Sequence, residues 1–446
     1  MILRQCQLDA VEGVRVKFRE KYKRVLLQAA TGFGKTVIAN HIIEGSVSKG
    51  GRPLFLAARR ELVHQASNRI TPRHGVILAG DKRTDPDAPV QVASVQTLLN
   101  RSIQFEPTLI FLDECSHSTA TSHQELLSRF PDVPVVGLTA TPVRNTGMGL
   151  GDYFDAMVQA MGIEDLIDQG WLVRPKHYAG PPNGKPRPDL FSDPVQAWMQ
   201  YARGRATMAF CSSVEASKEL AARATMAGIR SRHIDGTTDD EIRDQIAAQL
   251  ESGELELVTN YQVYVEGVDI PKVSCVILDR YFSNIAGYLQ AIGRGLRTYP
   301  GKTDCIVLDH AGNVHTHGRA DQNRQWQLTK GRDVLAGPST PDVADKIDVC
   351  PVCFTVAPTG ASQCACGYKF YRKPKKSYKH KPGTLELHHD NGTVTTINES
   401  KQRSDYQRFL WQQRNGRKKD GSPMSPRYAG FKFFSMYGFW PPKIWG

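Results

Sequence analysis

Val25-Leu26-Leu27-Gln28-Ala29-Ala30-Thr31-Gly32-Phe33-Gly34-Lys35-Thr36 is the stretch whose reading decides how the first part of this chain folds. Residues 25–30 form an apolar run of strand length, and a helix opens where the glycines end. Glycines at 32 and 34 let backbone N–H groups curl around phosphate oxygens, and the helix N-terminus adds a favourable dipole. In such a loop Lys35 reaches the β- and γ-phosphates and the Thr36 hydroxyl ligates magnesium, with Thr31, Gly32, Phe33 and Gly34 lining the cradle. Ala29 stands where the pattern usually has its first glycine. Taken alone, Gly-Lys-Thr also fits an ordinary glycine turn, so the surroundings must choose.

Those surroundings repeat one rhythm. Residues 53–58, 90–95, 109–114 and 135–140 are further strand-like runs separated by longer amphipathic segments, as in a parallel sheet with crossover helices. The rhythm resumes at 207–212, 255–260, 273–279 and 305–310, which predicts a second α/β lobe. The Pro- and Gly-rich residues 180–188 read as a loop. Periodicity fades from 318 to 346, where Gly337-Pro338-Ser339-Thr340-Pro341 reads as a linker. The expected layout is a lobe at 1–160, a lobe at 161–318, a linker at 319–346, a cysteine-bearing basic segment at 347–382 and a small basic, aromatic domain at 383–446.

A chain of 446 residues with 40% apolar and 23% charged side chains can bury more than one core. It has no uninterrupted apolar run of about 18 residues and no basic-then-apolar start, so neither a membrane nor a secretory signal is expected. The expected compartment is the cytoplasm, that of the host if a phage encodes the chain. Cys6, Cys115, Cys211, Cys275 and Cys305 stand apart in apolar runs and read as buried, reduced thiols. The net charge of +12 resides wholly in residues 319–446. So localised a surplus implies a polyanionic partner there.

Two further elements belong with the phosphate loop. Asp113 and Glu114 emerge at the end of the run Leu109-Ile110-Phe111-Leu112, and strand carboxyl ends are where ligands sit in parallel sheets. Asp113 can hold magnesium and Glu114 can orient or deprotonate a water. In the second lobe Gln290, Arg294 and Arg297 have i, i+4, i+7 spacing, which on a continuous helix gives one face. Two guanidiniums offered across a cleft can stabilise charge on a transferred phosphoryl group.

The extension gathers Cys350, Cys353, Cys364 and Cys366 within seventeen residues, enough thiolates for one tetrahedral zinc that would fold a segment too small for its own core. His310, His315 and His317 have no accompanying thiolate or carboxylate pair and are read as structural. After the cysteines, residues 368–379 interleave aromatics with cations. Lys373, Lys375 and Lys376 would track phosphates while the rings stack on bases. Residues 399–414 read as a helix ending at Asn415-Gly416. The aromatics of 428–440 read chiefly as the core of a small domain with its cations facing outward.

These residues together resemble the superfamily 2 helicases over residues 1–318, and more narrowly the DEAD/DEAH-box helicases of phages and prophages. The narrower likeness lies in Gly137-Leu138-Thr139-Ala140-Thr141-Pro142-Val143-Arg144, residues 149–155 and Leu308-Asp309-His310-Ala311-Gly312-Asn313. The resemblance implies two RecA-like lobes with ATP and Mg2+ between them. It implies Arg4 and Gln7 near the adenine, Gly267 and Asp269 at the nucleotide, and Arg60, Thr97 and Thr259 along the nucleic acid. It further implies Thr139 and Thr141 in coupling hydrolysis to the bound strand. The sequence departs from the family at Ser116, where histidine or aspartate is usual and joins the ATP site to the arginine motif; His117 stands one place later. The function implied is an ATP-dependent helicase or translocase, on DNA rather than RNA by analogy with the phage enzymes. Two alternatives stay open: a nucleic-acid-binding protein with a weak, switch-like ATPase, and a duplex translocase that separates no strands. No protein partner is implied.

Overall fold

The structure is a computed structural model. It describes residues 3–101, 105–116, 120–144, 146–180, 192–263, 269–332, 334, 347–358, 361–370, 386–388, 394–396, 399–418, 422–437 and 440–441. Expectations resting on His117, residues 181–188, Gly267, and Lys373, Lys375 and Lys376 lie outside these residues.

The first sheet comprises β1 (Arg24–Gln28), β2 (Pro53–Ala57), β3 (His74–Ile77), β4 (Val90–Ser94), β5 (Leu109–Leu112), β6 (Val135–Thr139) and β7 (Ala156–Gln159). They lie in the order β3-β4-β2-β5-β6-β1-β7, every pair parallel. Strands β2, β4 and β6 are buried at every residue, as a sheet covered on both faces requires. The helices of this half are α1 (Gln5–Arg19), α2 (Lys35–Val47), α3 (Arg60–Arg69), α4 (Val95–Leu99) and α5 (Ala120–Arg129).

Helix α6 (Ile163–Asp168) leads into the second sheet, ordered β10-β11-β9-β12-β13-β8 and again wholly parallel. Its strands are β8 (Arg174–Ala179), β9 (Thr207–Cys211), β10 (Ser231–Ile234), β11 (Leu257–Asn260), β12 (Cys275–Asp279) and β13 (Asp304–Asp309). Helices α7 (Pro194–Tyr201), α8 (Val214–Met226), α9 (Asp240–Ser252), α10 (Ile285–Gly293) and α11 (Asn313–His317) accompany it. The two α/β lobes expected from the strand rhythm are both present. The strands the rhythm did not announce are β3, β7, β8 and β10, the four sheet edges. They are only partly buried, and β7, β8 and β10 carry polar residues at exposed positions.

Residues 319–332, read as the start of a linker, are packed instead. Trp326 is buried with Val143 and Val334, against Ile285 and Leu289 of the second lobe. The main chain here bonds back to the first lobe, with Gly149 N donating to Gly331 O (2.7 Å) and Gly151 N to Thr329 O (2.9 Å). Both glycines are required by this approach: a Cβ on Gly149 would come within 2.1 Å of Thr329 O. Loss of periodicity marked irregular backbone, not freedom.

The cysteine segment begins with the hairpin β14 (Ile347–Val349) and β15 (Val356–Pro358). It joins the second lobe's edge through Ala179 N, which donates to Phe354 O at 3.1 Å, and a bridge between Tyr178 and Thr355. Residues 371–446 form a separate compact unit. Its described parts are a short hairpin of β16 (Glu386–His388) and β17 (Val394–Thr396), and the helices α12 (Glu399–Asn415) and α13 (Tyr428–Tyr437), packed through Phe409, Ala429 and Phe433.

Candidate active site between the two lobes

Strand β1 delivers its carboxyl end to the loop 29–34, and α2 starts at Lys35. Gly32 (φ +86°) and Gly34 (φ +97°) hold left-handed backbone that side chains disfavour. Space forbids a side chain as well: a Cβ on Gly34 would lie 2.6 Å from Gln7 Nε2. Gln7 itself is buried and fixes α1 to the loop, donating from Nε2 to Phe33 O (2.8 Å) and accepting at Oε1 from Arg4 N (3.0 Å). The Arg4 guanidinium stacks 4.0 Å from the centre of the Trp171 ring, and its Nη1 is buried without a hydrogen-bond partner. Trp171 is a residue that sequence reasoning missed. It precedes β8 and brings an aromatic face to the position implied for adenine.

The acidic pair stands where the end of β5 predicts. Asp113 N donates to Leu56 O (2.8 Å), and Glu114 takes a positive φ of 44°, which turns its carboxylate toward the loop. Lys35 Nζ and Glu114 Oε1 are 3.3 Å apart, both side chains largely buried. Burial, then repulsion from Glu114, pushes the Asp113 carboxyl well above the usual carboxylate range, while Lys35 opposes the shift. Glu114 Oε2 and Thr141 Oγ1 are buried polar atoms without hydrogen-bond partners in the protein. Such atoms at the mouth of a phosphate-type loop suit a triphosphate, a divalent cation and an attacking water. The donor set of Thr36 and Asp113 oxygens is the hard chemistry magnesium takes.

The second lobe closes on this loop. Gly293, the last residue of α10, lies so near Thr31 that a Cβ there would be 2.7 Å from Thr31 Cβ; Leu172 and Arg297 flank Gly32. The predicted single face of Gln290, Arg294 and Arg297 is corrected, because α10 stops at Gly293. Beyond it the chain is pressed against β13, with a Cβ on Gly295 only 2.4 Å from Cys305 Sγ, and Arg297 instead bridges to Leu172. Gln290 and Arg294 are buried. Arg297 pairs with Asp269, whose other oxygen accepts from Arg69 Nη2 of α3 at 2.5 Å. Asp269 thus joins the two lobes, and Arg69 was not anticipated. A second bridge, Arg243 Nη1 to Glu61 Oε1 at 3.3 Å, also spans them.

Ser116 is buried with its Oγ 3.1 Å from Thr139 Oγ1, which in turn bonds the Thr141 main chain at N (3.1 Å) and O (2.8 Å). Ser116, the second residue after the acidic pair, therefore contacts the Thr-Ala-Thr segment. Arg60 is exposed at the start of α3 and lines, with Arg69, a wide cleft facing α9. Thr97 is buried in α4. Thr259 is fully buried and donates to Ser217 O at 2.7 Å, so its expected placement along a nucleic acid is corrected: the hydroxyl serves the interior of the second lobe.

Away from the cleft, the four sulfurs of Cys350, Cys353, Cys364 and Cys366 lie within 4.8 Å of one another, with pairs at 3.5 and 3.6 Å. Zinc–thiolate bonds of about 2.3 Å in a tetrahedron place sulfurs roughly 3.8 Å apart, so the cluster suits that ion. Cys364 and Cys366 share a turn closed by Gly367 (φ +90°), whose N donates to Cys364 O at 2.9 Å.

Two parallel-sheet lobes closing on a glycine phosphate loop, with acids from one lobe and an arginine from the other, define a class of nucleotide-driven mechanical enzymes. Residues 1–144 match the family described as the res subunit of type III restriction enzymes, and residues 192–299 match the helicase conserved C-terminal domain. A 51.5 kDa protein of a Lactococcus phage is 30% identical over 383 residues, covering 81% of this chain and 82% of that protein. The putative mitochondrial ATP-dependent helicase irc3 of Schizosaccharomyces pombe is 30% identical over 353 residues, 70% of this chain. The chain spans 58% of that relative's length. Among solved structures, a fragment of a putative HsdR subunit of a type I restriction enzyme from Vibrio vulnificus shares the fold, with a TM-score of 0.56 at 22% identity over 71% of this chain and 66% of that one. The chain belongs to the superfamily 2 helicases, ATP-hydrolysing enzymes built on tandem RecA-like lobes.

Proposed function

We propose that this chain is an ATP-driven motor on DNA, with lobe 1 at residues 1–160, lobe 2 at 161–318, a zinc-bearing segment at 347–382 and an accessory domain at 383–446. The observation that carries the reading is the meeting of Lys35, Asp113 and Glu114 from one lobe with Gly293 and Arg297 from the other around residues 31–34. Lys35 and the amides of 31–34 hold the phosphates; Thr36 and Asp113 hold Mg2+, which neutralises charge on them when bound. Glu114 receives a proton from the attacking water. Arg297, released from Asp269, and Arg294 stabilise the negative charge that develops on the transferred group. Thr139 and Thr141 relay that change through Ser116, and Arg60 grips the backbone of the strand.

DNA is favoured by the restriction-enzyme family that lobe 1 matches and by the phage relative. Zinc in the four-cysteine cluster is structural. ATP turnover by the purified chain, measured with single-stranded DNA, duplex DNA, forked DNA and RNA, tests the proposal. Stimulation by DNA, and loss of turnover by at least a hundredfold in Lys35→Ala, is the expected result. Wild-type turnover in Lys35→Ala overturns it, and turnover indifferent to every nucleic acid favours a switch-like ATPase instead.

A further inference from the structure

The C-terminal unit keeps only part of its aromatic content inside. Phe409 and Phe433 form its core with Ala429, yet Phe431, Phe434 and Trp440 are 56%, 41% and 54% exposed. That separation follows from helical geometry, since a turn of 100° per residue that points Phe433 inward carries Phe431 and Phe434 to other faces. The exposed rings are nevertheless gathered. The Trp440 ring centre is 5.2 Å from that of Phe431 and 5.1 Å from that of Phe434. Gly430 makes the seat: a Cβ there would stand 3.2 Å from Trp440 Cζ3. The sequence reading assigned these aromatics chiefly to a core, and for this trio the structure differs.

Three clustered rings left facing water call for an occupant. Residues 371–446 carry sixteen lysines and arginines against five carboxylates, which favours a polyanion. Arg427, exposed, precedes the rings in sequence and Lys432, also exposed, lies among them with its Nζ donating to Tyr428 Oη (2.7 Å), and the described carboxylate Asp405 on α12 is paired with Arg408 at 2.8 Å. Flat rings among cations match one polyanion particularly well, a strand whose unpaired bases offer π-faces and whose phosphates offer charge. We propose that Phe431, Phe434 and Trp440 form a base-stacking platform for single-stranded nucleic acid, a second contact distinct from the lobes. It rests on the nucleic-acid reading above.

The test uses the full chain without nucleotide and fluorescence anisotropy with two probes, an oligothymidylate and a deoxyribose-phosphate oligomer of equal length lacking bases. The wild type is expected to prefer the base-bearing probe. Trp440→Ala weakens that probe on the order of tenfold, Phe431→Ala/Trp440→Ala more, while affinity for the abasic probe and the salt slope stay unchanged. Trp440→Phe retains most of the affinity, which a role in packing size alone does not predict. An equal loss on both probes, no loss on either, or displacement by polyglutamate as effective as by oligothymidylate overturns the platform, the last in favour of an acidic protein. If wild-type turnover is stimulated by DNA while these variants bind like wild type, the platform fails and the motor stands. If both probes bind as expected but turnover ignores nucleic acid, the motor fails and the platform stands.

Discussion

Gly293→Ala offers a sharp test of lobe closure, because it acts oppositely on folding and on turnover. Gly293 ends a helix, where alanine is favoured over glycine by up to about 1 kcal/mol, so lobe 2 gains or keeps stability. Across the interface, however, the new methyl would sit 2.7 Å from Thr31 Cβ and 2.9 Å from Thr31 Cγ2. Carbon atoms rest at about 3.5–4.0 Å, so lobe or loop must retreat by roughly 1 Å. Thr31 belongs to the phosphate loop and cannot swing clear as a long side chain would. A misplacement of about 1 Å at reacting groups costs on the order of a hundredfold in rate. The expected result is a thermal midpoint at or above that of the wild type, with DNA-stimulated ATP turnover reduced about a hundredfold. Gly45→Ala in α2 is the control, since nothing lies within 4 Å of its Cβ position; it gains similar stability at full turnover. Gly293→Ala turnover within twofold of wild type would refute closure at this contact.

The purified chain is expected to carry one zinc per molecule by metal analysis, and Cys353→Ser/Cys364→Ser to carry none, with a lower melting temperature and basal ATP turnover within about twofold. A metal-free wild type would remove the zinc assignment. Stability should also fall as pH drops from 6.5 toward 4, because burial holds His177 and His317 down at about 4. The unfolded chain takes up those protons near 6.5 and the folded one does not, so the contribution is complete above 6.5 and is lost toward 4, roughly 3 kcal/mol per histidine at most. Melts of His177→Gln/His317→Gln across that window should show a flatter slope, and an unchanged slope would contradict the account.

What the sequence made legible was whatever sits contiguously along it. The phosphate loop and Asp113-Glu114 are short runs, each behind an apolar strand, and the interior strands are continuous apolar stretches because both of their faces are covered. Edge strands gave no such signal: Arg174-Pro175-Lys176-His177-Tyr178-Ala179 buries alternate residues and exposes charge between them. Arg69 was invisible for another reason, since its partner Asp269 is 200 residues away and nothing local marks an arginine at a helix end. The i, i+4, i+7 spacing of Gln290, Arg294 and Arg297 misled because periodicity cannot report where a helix stops. Two glycines and the nearness of β13 stopped it. For the aromatics of residues 428–440, hydrophobicity gave the element but not the face, so Phe433 and Phe434 look alike in sequence and differ wholly in exposure.

The packed segment after lobe 2 has a mechanical consequence. The chain crosses between the lobes at residues 160–173 and again at 318–326, and the crossings are bonded together. Gln159 Nε2 donates to Arg324 O (2.7 Å), Trp326 N donates to Gln159 Oε1 (2.8 Å), and Glu164 N donates to Asn323 Oδ1 (2.9 Å). A door hung on one pin can wobble; hung on two laced together, it swings about the line through them. Displacement then grows with distance from that line, so groups beside the pins barely shift while those along the free edge travel farthest. In the motor proposed above, a small shift at Gly293 would thereby become a larger one at the far edge of the cleft.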